Sequence, residues 1–168
     1  RPLSSRPVAD YLQSYGIRLK EGQQAEVNLR AEQWIGRLGN WLEHGIVVVI
    51  DYGDLAEEIY AEHRMKGTLM CYHRHSAHDN PYILPGMQDI TAHVNFTSVL
   101  TAAQKSGFSV RSFQTQKQFL AENGIFDLLQ NHHAGDPFHP VARKNRAIRQ
   151  LLLSDQMSEL FKVLVLKK

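Results

Sequence analysis

Residues 46–50, Ile-Val-Val-Val-Ile, form an unbroken β-branched run with no polar residue in alternation. β-Branched side chains lose χ1 freedom in a helix and pack well on a pleated surface, so the run reads as a strand. A strand without alternation is one buried on both faces, as in a parallel sheet covered by helices. Its cover is written just upstream. Asn28 is a good N-cap, and Ala31, Trp34, Ile35, Leu38, Trp41 and Leu42 follow at helical spacing, with Gly45 as a left-handed stop. This stripe predicts a core helix in which both tryptophans are buried.

The remaining chain alternates helices and strands. Residues 5–16 predict a short helix with Ser5 as cap, Pro7 in its first turn and Gly16 at its end. Asp54 can cap a further helix with Glu57 and Glu58 in the first turn, Arg64 and Lys66 in the last and Gly67 beyond, an order that suits the helix dipole. Thr68 to Tyr72 reads as a short extended segment, residues 73–88 as loop, and Asp89 to Val94 as extended chain. Asn95 caps a helix carrying Phe96, Val99, Leu100 and Ala103, closed by Gly107. Phe108 to Phe113 alternates as a half-buried strand does. Residues 116–132 predict two short helices broken at Gly124, Ala134-Gly135-Asp136-Pro137 a loop, 141–153 a basic helix, and 160–166 a terminal strand. The order makes the chain α/β. Three or four strands are few for a doubly wound sheet, so the whole of 1–168 reads as one flank of a larger one.

Composition removes several function classes. The chain has 168 residues, 43% apolar and 21% charged, with 19 Lys+Arg against 17 Asp+Glu. That is globular rather than disordered composition, and a formal charge of +2 is no nucleic-acid footprint. The longest apolar run is far short of the ~20 residues of a membrane helix, so no membrane insertion is expected. A single cysteine, Cys71, excludes an internal disulfide framework and makes a reducing, cytoplasmic compartment the default. No signal peptide is visible, and the first residue is Arg1 rather than Met. There is no G-x-G-x-x-G, Walker loop, G-x-S-x-G elbow or C-x-x-C, so no cofactor-binding residue is assigned.

Ligands of open α/β sheets bind beyond the carboxyl ends of parallel strands. Asp51 stands at such an end, where a carboxylate can orient a hydroxyl, take a proton or hold a cation. Tyr52 adds an aromatic face and a hydroxyl, and Gly53 lets backbone approach closely. Asp89, Thr91 and His93 alternate along an extended segment, which would point all three side chains to one face. They could line a cleft or satisfy loop backbone. His73, His75, His78 and Asp79 hold the residue types of a zinc site, but the carboxylate follows the third histidine, unlike the H-x-H-x-D-H run of metallo-β-lactamases; no metal ligand is assigned. Arg143, Lys144, Arg146 and Arg149 make a basic helix face without interleaved aromatics, so nucleic acid is not expected as a partner.

Several phrases occur together in a family-like order: Glu26-Val27-Asn28-Leu29, Val49-Ile50-Asp51-Tyr52-Gly53, Gly67-Thr68-Leu69 with Tyr72 and His75, and Pro85-Gly86-Met87-Gln88-Asp89-Ile90-Thr91-Ala92-His93-Val94-Asn95-Phe96. Thr115-Gln116, Phe119-Leu120 and Leu160-Phe161-Lys162-Val163-Leu164 complete them. Over residues 23–166 the chain resembles the C-terminal half of the MidA family of S-adenosylmethionine-dependent methyltransferases. Asn95 stands where that family more often has Asp. The resemblance implies the C-terminal flank of a Rossmann-like class I methyltransferase sheet with helical insertions. Residues 47–50 would be its fifth strand, and the terminal strand would run antiparallel between its neighbours. It implies S-adenosylmethionine as cofactor of the complete protein, gripped by an N-terminal half of the same protein that precedes this chain. The mitochondrial members methylate an arginine of a respiratory complex I subunit during assembly, so a protein acceptor is implied, in mitochondria if the source is eukaryotic. The acceptor side is expected to use Asp51, Tyr52, Asp89 and His93 for catalysis and Gly53, Tyr72, His75 and Thr91 for substrate binding. The competing readings are a metal-dependent hydrolase built on His73, His75 and His78, and a non-catalytic interaction module docking through residues 116–153.

Overall fold

The computed structural model describes residues 5–131, 136–153 and 157–168. The loop expected at Ala134 and Gly135 lies outside them. The chain divides into two compact units: Arg1–Gly45 with Gly53–Ser109 and Lys168, and Ile46–Tyr52 with Val110–Lys167.

The first unit opens with α1 (Arg6–Ser14) and α2 (Leu29–Trp41). The Asn28 side chain accepts hydrogen bonds from the N–H groups of Arg30 and Ala31, the expected cap. Helix α2 packs on α4 (Phe96–Lys105). Ile35 is wholly buried, and a Cβ on Gly39 would lie 2.7 Å from Ser106 Cβ, so a glycine sets how closely the helix approaches the end of α4. The tryptophans contradict the expected stripe: Trp34 is 49% and Trp41 76% exposed. The buried line runs through Ile35 and Gly39, one turn apart, and leaves the indoles on its flank.

The helix expected between Asp54 and Gly67 shrinks to α3, Ala56–Ile59. Ala56, Ile59 and Tyr60 form a small buried cluster with Ile17, Leu19 and Ala25. Beyond Tyr60 the segment offers no buried apolar residue to extend a helical face, and short helices survive only by packing. Arg64 folds back instead, its guanidinium donating to the Glu58 carbonyl and to Glu58 Oε1. Residues 73–88 are likewise not all loop. Strands β2 (Met70–His73) and β3 (Ser76–His78) form a hairpin whose two turn residues, Arg74 and His75, have φ of 46° and 67°, and β4 (Asp89–Thr91) pairs with the other edge of β2. Four residues of alternation were too few to separate this hairpin from loop.

Strand β1 (Ile46–Asp54) passes from the second unit into the first. Its Gly53 and Asp54 pair in parallel with Val94 and Asn95, which form β5. A Cβ on Gly53 would run into the carbonyl oxygen of Val94 and lie 2.7 Å from its nitrogen, so only glycine permits this pairing. Asn95 then caps α4 as expected, its Oδ1 accepting from the Thr97 N–H.

In the second unit, residues 46–52 of β1 pair antiparallel with β7 (Phe161–Lys167), and β7 lies between β1 and β6 (Ser109–Thr115). The terminal strand therefore takes the antiparallel, internal place expected of it. Helix α5 (Gln116–Glu122) opens with a capping box between Thr115 and Gln118. A 3-10 turn (Ile125–Leu128) follows Gly124, then α6 (Pro140–Leu153) and α7 (Met157–Leu160). Ile125, Ile148 and Leu152 pack together with Leu120. Val163, Leu164 and Leu166 of β7 are wholly buried, each worth about 1.5–3 kcal/mol relative to exposure. Strand β1 is not buried on both faces. Ile46, Val48 and Ile50 are 66, 48 and 53% exposed. Among the described residues, nothing pairs with residues 46–52 on the edge away from β7.

Candidate functional site

A cavity of about 420 Å³ opens within the first unit, in the size range of small-ligand sites. Tyr11, Glu26, Tyr60, His93 and Asn95 give it polar side chains, and the first turn of α2 forms one wall. Glu26 Oε2 accepts hydrogen bonds from the Thr68 N–H at 2.8 Å and from its hydroxyl at 2.9 Å. The Thr68 oxygen in turn accepts the His93 N–H at 3.0 Å. Three phrases far apart in the chain, around Glu26, Thr68 and His93, are thus tied to one another. The carboxylate packs against Gly67 so closely that a Cβ there would touch it. Two further bonds tie the aromatic wall in place: Tyr60 donates its hydroxyl to the Glu26 carbonyl at 3.0 Å, and Asn95 Nδ2 donates to the Tyr11 hydroxyl oxygen at 2.8 Å.

These contacts set the protonation states. Burial lowers the His93 pKa and the positive Arg64 lowers it further, against the opposing pull of Glu26 and Asp54, so the imidazole is neutral at neutral pH. Burial pushes the Tyr60 phenol well above its ordinary value, helped by the neighbouring Tyr11. A neutral imidazole and the neutral Tyr60 phenol beside an anchored carboxylate can accept a proton, donate hydrogen bonds and hold a cation.

Of the expected site residues, only His93 lines this cavity. Asp89, Thr91 and His93 do not share one face: the chain leaves β2 after Thr91 to join β1 at Val94, which interrupts the alternation at Ala92-His93. Asp89 is exposed opposite Tyr72, itself largely exposed, and the Thr91 hydroxyl donates to the Met70 carbonyl. His75 sits in the exposed hairpin turn. Gly53 is buried against Val94. In the second unit, Asp51 does not stand at the end of a parallel strand as expected: β1 runs on to Asp54, and Asp51 is half-buried within it, opposite Lys162 of the antiparallel β7. It accepts the N–H of Tyr52, whose ring meets Phe161 edge-on at 5.5 Å between centroids. Tyr11, Glu26, Tyr60 and Asn95 were not expected in a site. Glu26 stood within a family-like phrase, but its link to Thr68 spans 42 residues, which no local pattern encodes.

The histidine run does not converge. His73 donates from Nδ1 to the Met87 carbonyl, and His78 Nδ1 accepts the Asn80 N–H. Among the described residues, no group of three or more His, Cys, Asp or Glu is placed to hold a metal ion, and the three histidines of the metal-dependent hydrolase reading are not brought together.

An α/β chain with a polar cavity beside a parallel strand pairing defines a ligand-binding class, and comparison with known proteins narrows it. Residues 1–114 match the family described as "Putative S-adenosyl-L-methionine-dependent methyltransferase", and the chain belongs to that family. It is also similar to two solved structures from Burkholderia thailandensis. One, a "likely methyl transferase" bound to S-adenosyl-homocysteine, is 34% identical with a TM-score of 0.87. The other, a native structure from the same superfamily, is 33% identical with a TM-score of 0.88. Both are matched over 100% of this chain and 43 and 44% of their own, so the chain spans less than half the length of these relatives. No curated protein matches it. Among the described residues, no helix is long and apolar enough to cross a membrane.

The family's cofactor is S-adenosylmethionine. At the junction of β1 with α3, the chain runs from Gly53-Asp54 through Leu55 into the four helical residues without a glycine-rich turn.

Proposed function

We propose that this chain is the C-terminal, acceptor-side part of a cytoplasmic or mitochondrial MidA-type methyltransferase that modifies an arginine of a protein, a respiratory complex I subunit being the acceptor the resemblance suggests. The N-terminal half of the same protein would carry the cofactor grip. One observation carries this reading: the whole chain aligns with less than half of a relative bound to S-adenosyl-homocysteine. The open face of β1 supports it, because an apolar strand face of this kind is normally covered.

Within that reading the first-unit cavity receives the acceptor side chain. Glu26 and the faces of Tyr11 and Tyr60 would hold a guanidinium by charge and cation–π attraction. His93, neutral at the working pH, would accept the proton that the arginine nitrogen loses as it forms the new N–CH3 bond, while the S–CH3 bond breaks and the cofactor leaves as the neutral thioether. Contacts from several sides would align the reacting nitrogen, the main demand of an in-line displacement. Asp51, Tyr52, Asp89, Tyr72, His75, Thr91 and Gly53 do not line this cavity and keep only the acceptor-side role that the family resemblance gives them.

The test is label transfer by the complete protein. With isotopically labelled cofactor and complex I subunits as acceptors, acid hydrolysis should release labelled methylarginine. In the same protein His93→Ala, Asp51→Ala and Asp89→Ala should each lower turnover with little change in cofactor affinity. Label on another residue type would reject the arginine acceptor, and unchanged turnover would remove that residue from the site.

A further inference from the structure

We propose that the basic side of α6, in the second unit, docks an acidic, carboxylate-rich segment of a partner protein, a role that does not depend on the methyl-transfer reading. Helix α6 carries Arg143, Lys144, Arg146 and Arg149 and contains neither Asp nor Glu. Asn145, Arg146 and Arg149 join Ala142, Gln130 and Asn131 around an open concavity of about 450 Å³.

The concavity is held in shape. Asn145 donates from Nδ2 to the Gln130 carbonyl at 2.7 Å and accepts the Gln130 N–H at 3.2 Å, so one side chain pins the segment after the 3-10 turn to α6. Arg146 donates to the Pro137 carbonyl at 2.8 Å, which fixes its guanidinium at the rim. Arg143, Lys144 and Arg149 form no ion pair with a described residue. Guanidinium forks with spare donors pair bidentately with carboxylates, and such pairs set register as well as affinity.

Two observations favour a peptide over a nucleic acid. The chain as a whole carries only +2, so the positive charge is local. No aromatic residue lies among the cations of α6, while exposed Phe126, Leu128 and Leu129 lead into Gln130 at the concavity. An acidic segment with interspersed apolar residues meets both kinds of surface.

Fluorescence anisotropy on the whole chain decides it, with a labelled peptide alternating Glu and Leu, its Gln-for-Glu counterpart, and a single-stranded oligonucleotide of equal charge. The Glu peptide should bind saturably, weaken as salt rises, and lose about fivefold or more in affinity when Arg143→Gln and Arg149→Gln are combined. The Gln peptide should not bind. Both arginines are exposed, so the variant's thermal melt should match the parent's and separate lost docking from lost folding. Absence of saturable binding, equal affinity in the double variant, or tighter binding of the oligonucleotide would overturn the proposal.

Discussion

Strands β1 and β7 are nearly interchangeable in composition, Ile-Val-Val-Val-Ile against Val-Leu-Val-Leu, and pair residue for residue from Ile46 with Lys167 to Tyr52 with Phe161. Their surroundings differ. Val163, Leu164 and Leu166 are sealed, with strands on both sides and α5 and α7 against β7, whereas Ile46, Val48 and Ile50 of β1 face solvent and, among the described residues, one edge of residues 46–52 carries no partner. A run of β-branched residues thus states how a strand prefers to be packed, not what packs it. Exposed edges and bare apolar faces are usually blunted by charge, proline or a bulge. β1 has none of these before Asp51.

That contrast can be broken by substitution. Leu164→Ala should cost about 2–5 kcal/mol, read as a lower urea midpoint, because it empties a sealed site. Gly53→Ala should cost roughly 1–3 kcal/mol or more, since its methyl would collide with Val94 backbone rather than a pliable side chain; a melt equal to the parent's would reject the β1–β5 pairing. Asn95→Ala should cost about 1–2 kcal/mol by removing the α4 cap and the donor to Tyr11 together. Ile50→Thr, on the open face, should change the stability of this chain by no more than about 0.5 kcal/mol. If it costs as much as Leu164→Ala, the open face is not open in solution.

The smallest effect concerns pH. The folded-state pKa of His93 is lowered, so the unfolded chain binds the proton more readily. The stabilisation is present above the ordinary histidine pKa and is lost as pH falls from there through the lowered folded-state value. Melting temperature should therefore drop between pH 7 and 5, and His93→Gln should shrink that drop.

What the sequence disclosed follows from how local each signal is. The caps at Asn28 and Asn95, helix α2 and the terminal strand were legible because their signals sit within a few residues. The burial of Trp34 and Trp41 was not, because Gly39 lets α4 approach along a narrower line than the apolar stripe suggests. The α3 helix stopped early because Ala56, Ile59 and Tyr60 exhaust its buried face. His93 was recognisable as a site residue, whereas Tyr11, Tyr60 and Asn95 reach the cavity through contacts spanning 34 and 84 residues. Such contacts appear only when the chain is folded.

Calorimetric titration of this chain with S-adenosyl-homocysteine, beside the complete protein under the same conditions, probes the central claim most directly. The account predicts saturable binding by the complete protein and weak binding or none by residues 1–168 alone. Saturable binding of similar affinity by the chain alone would contradict it.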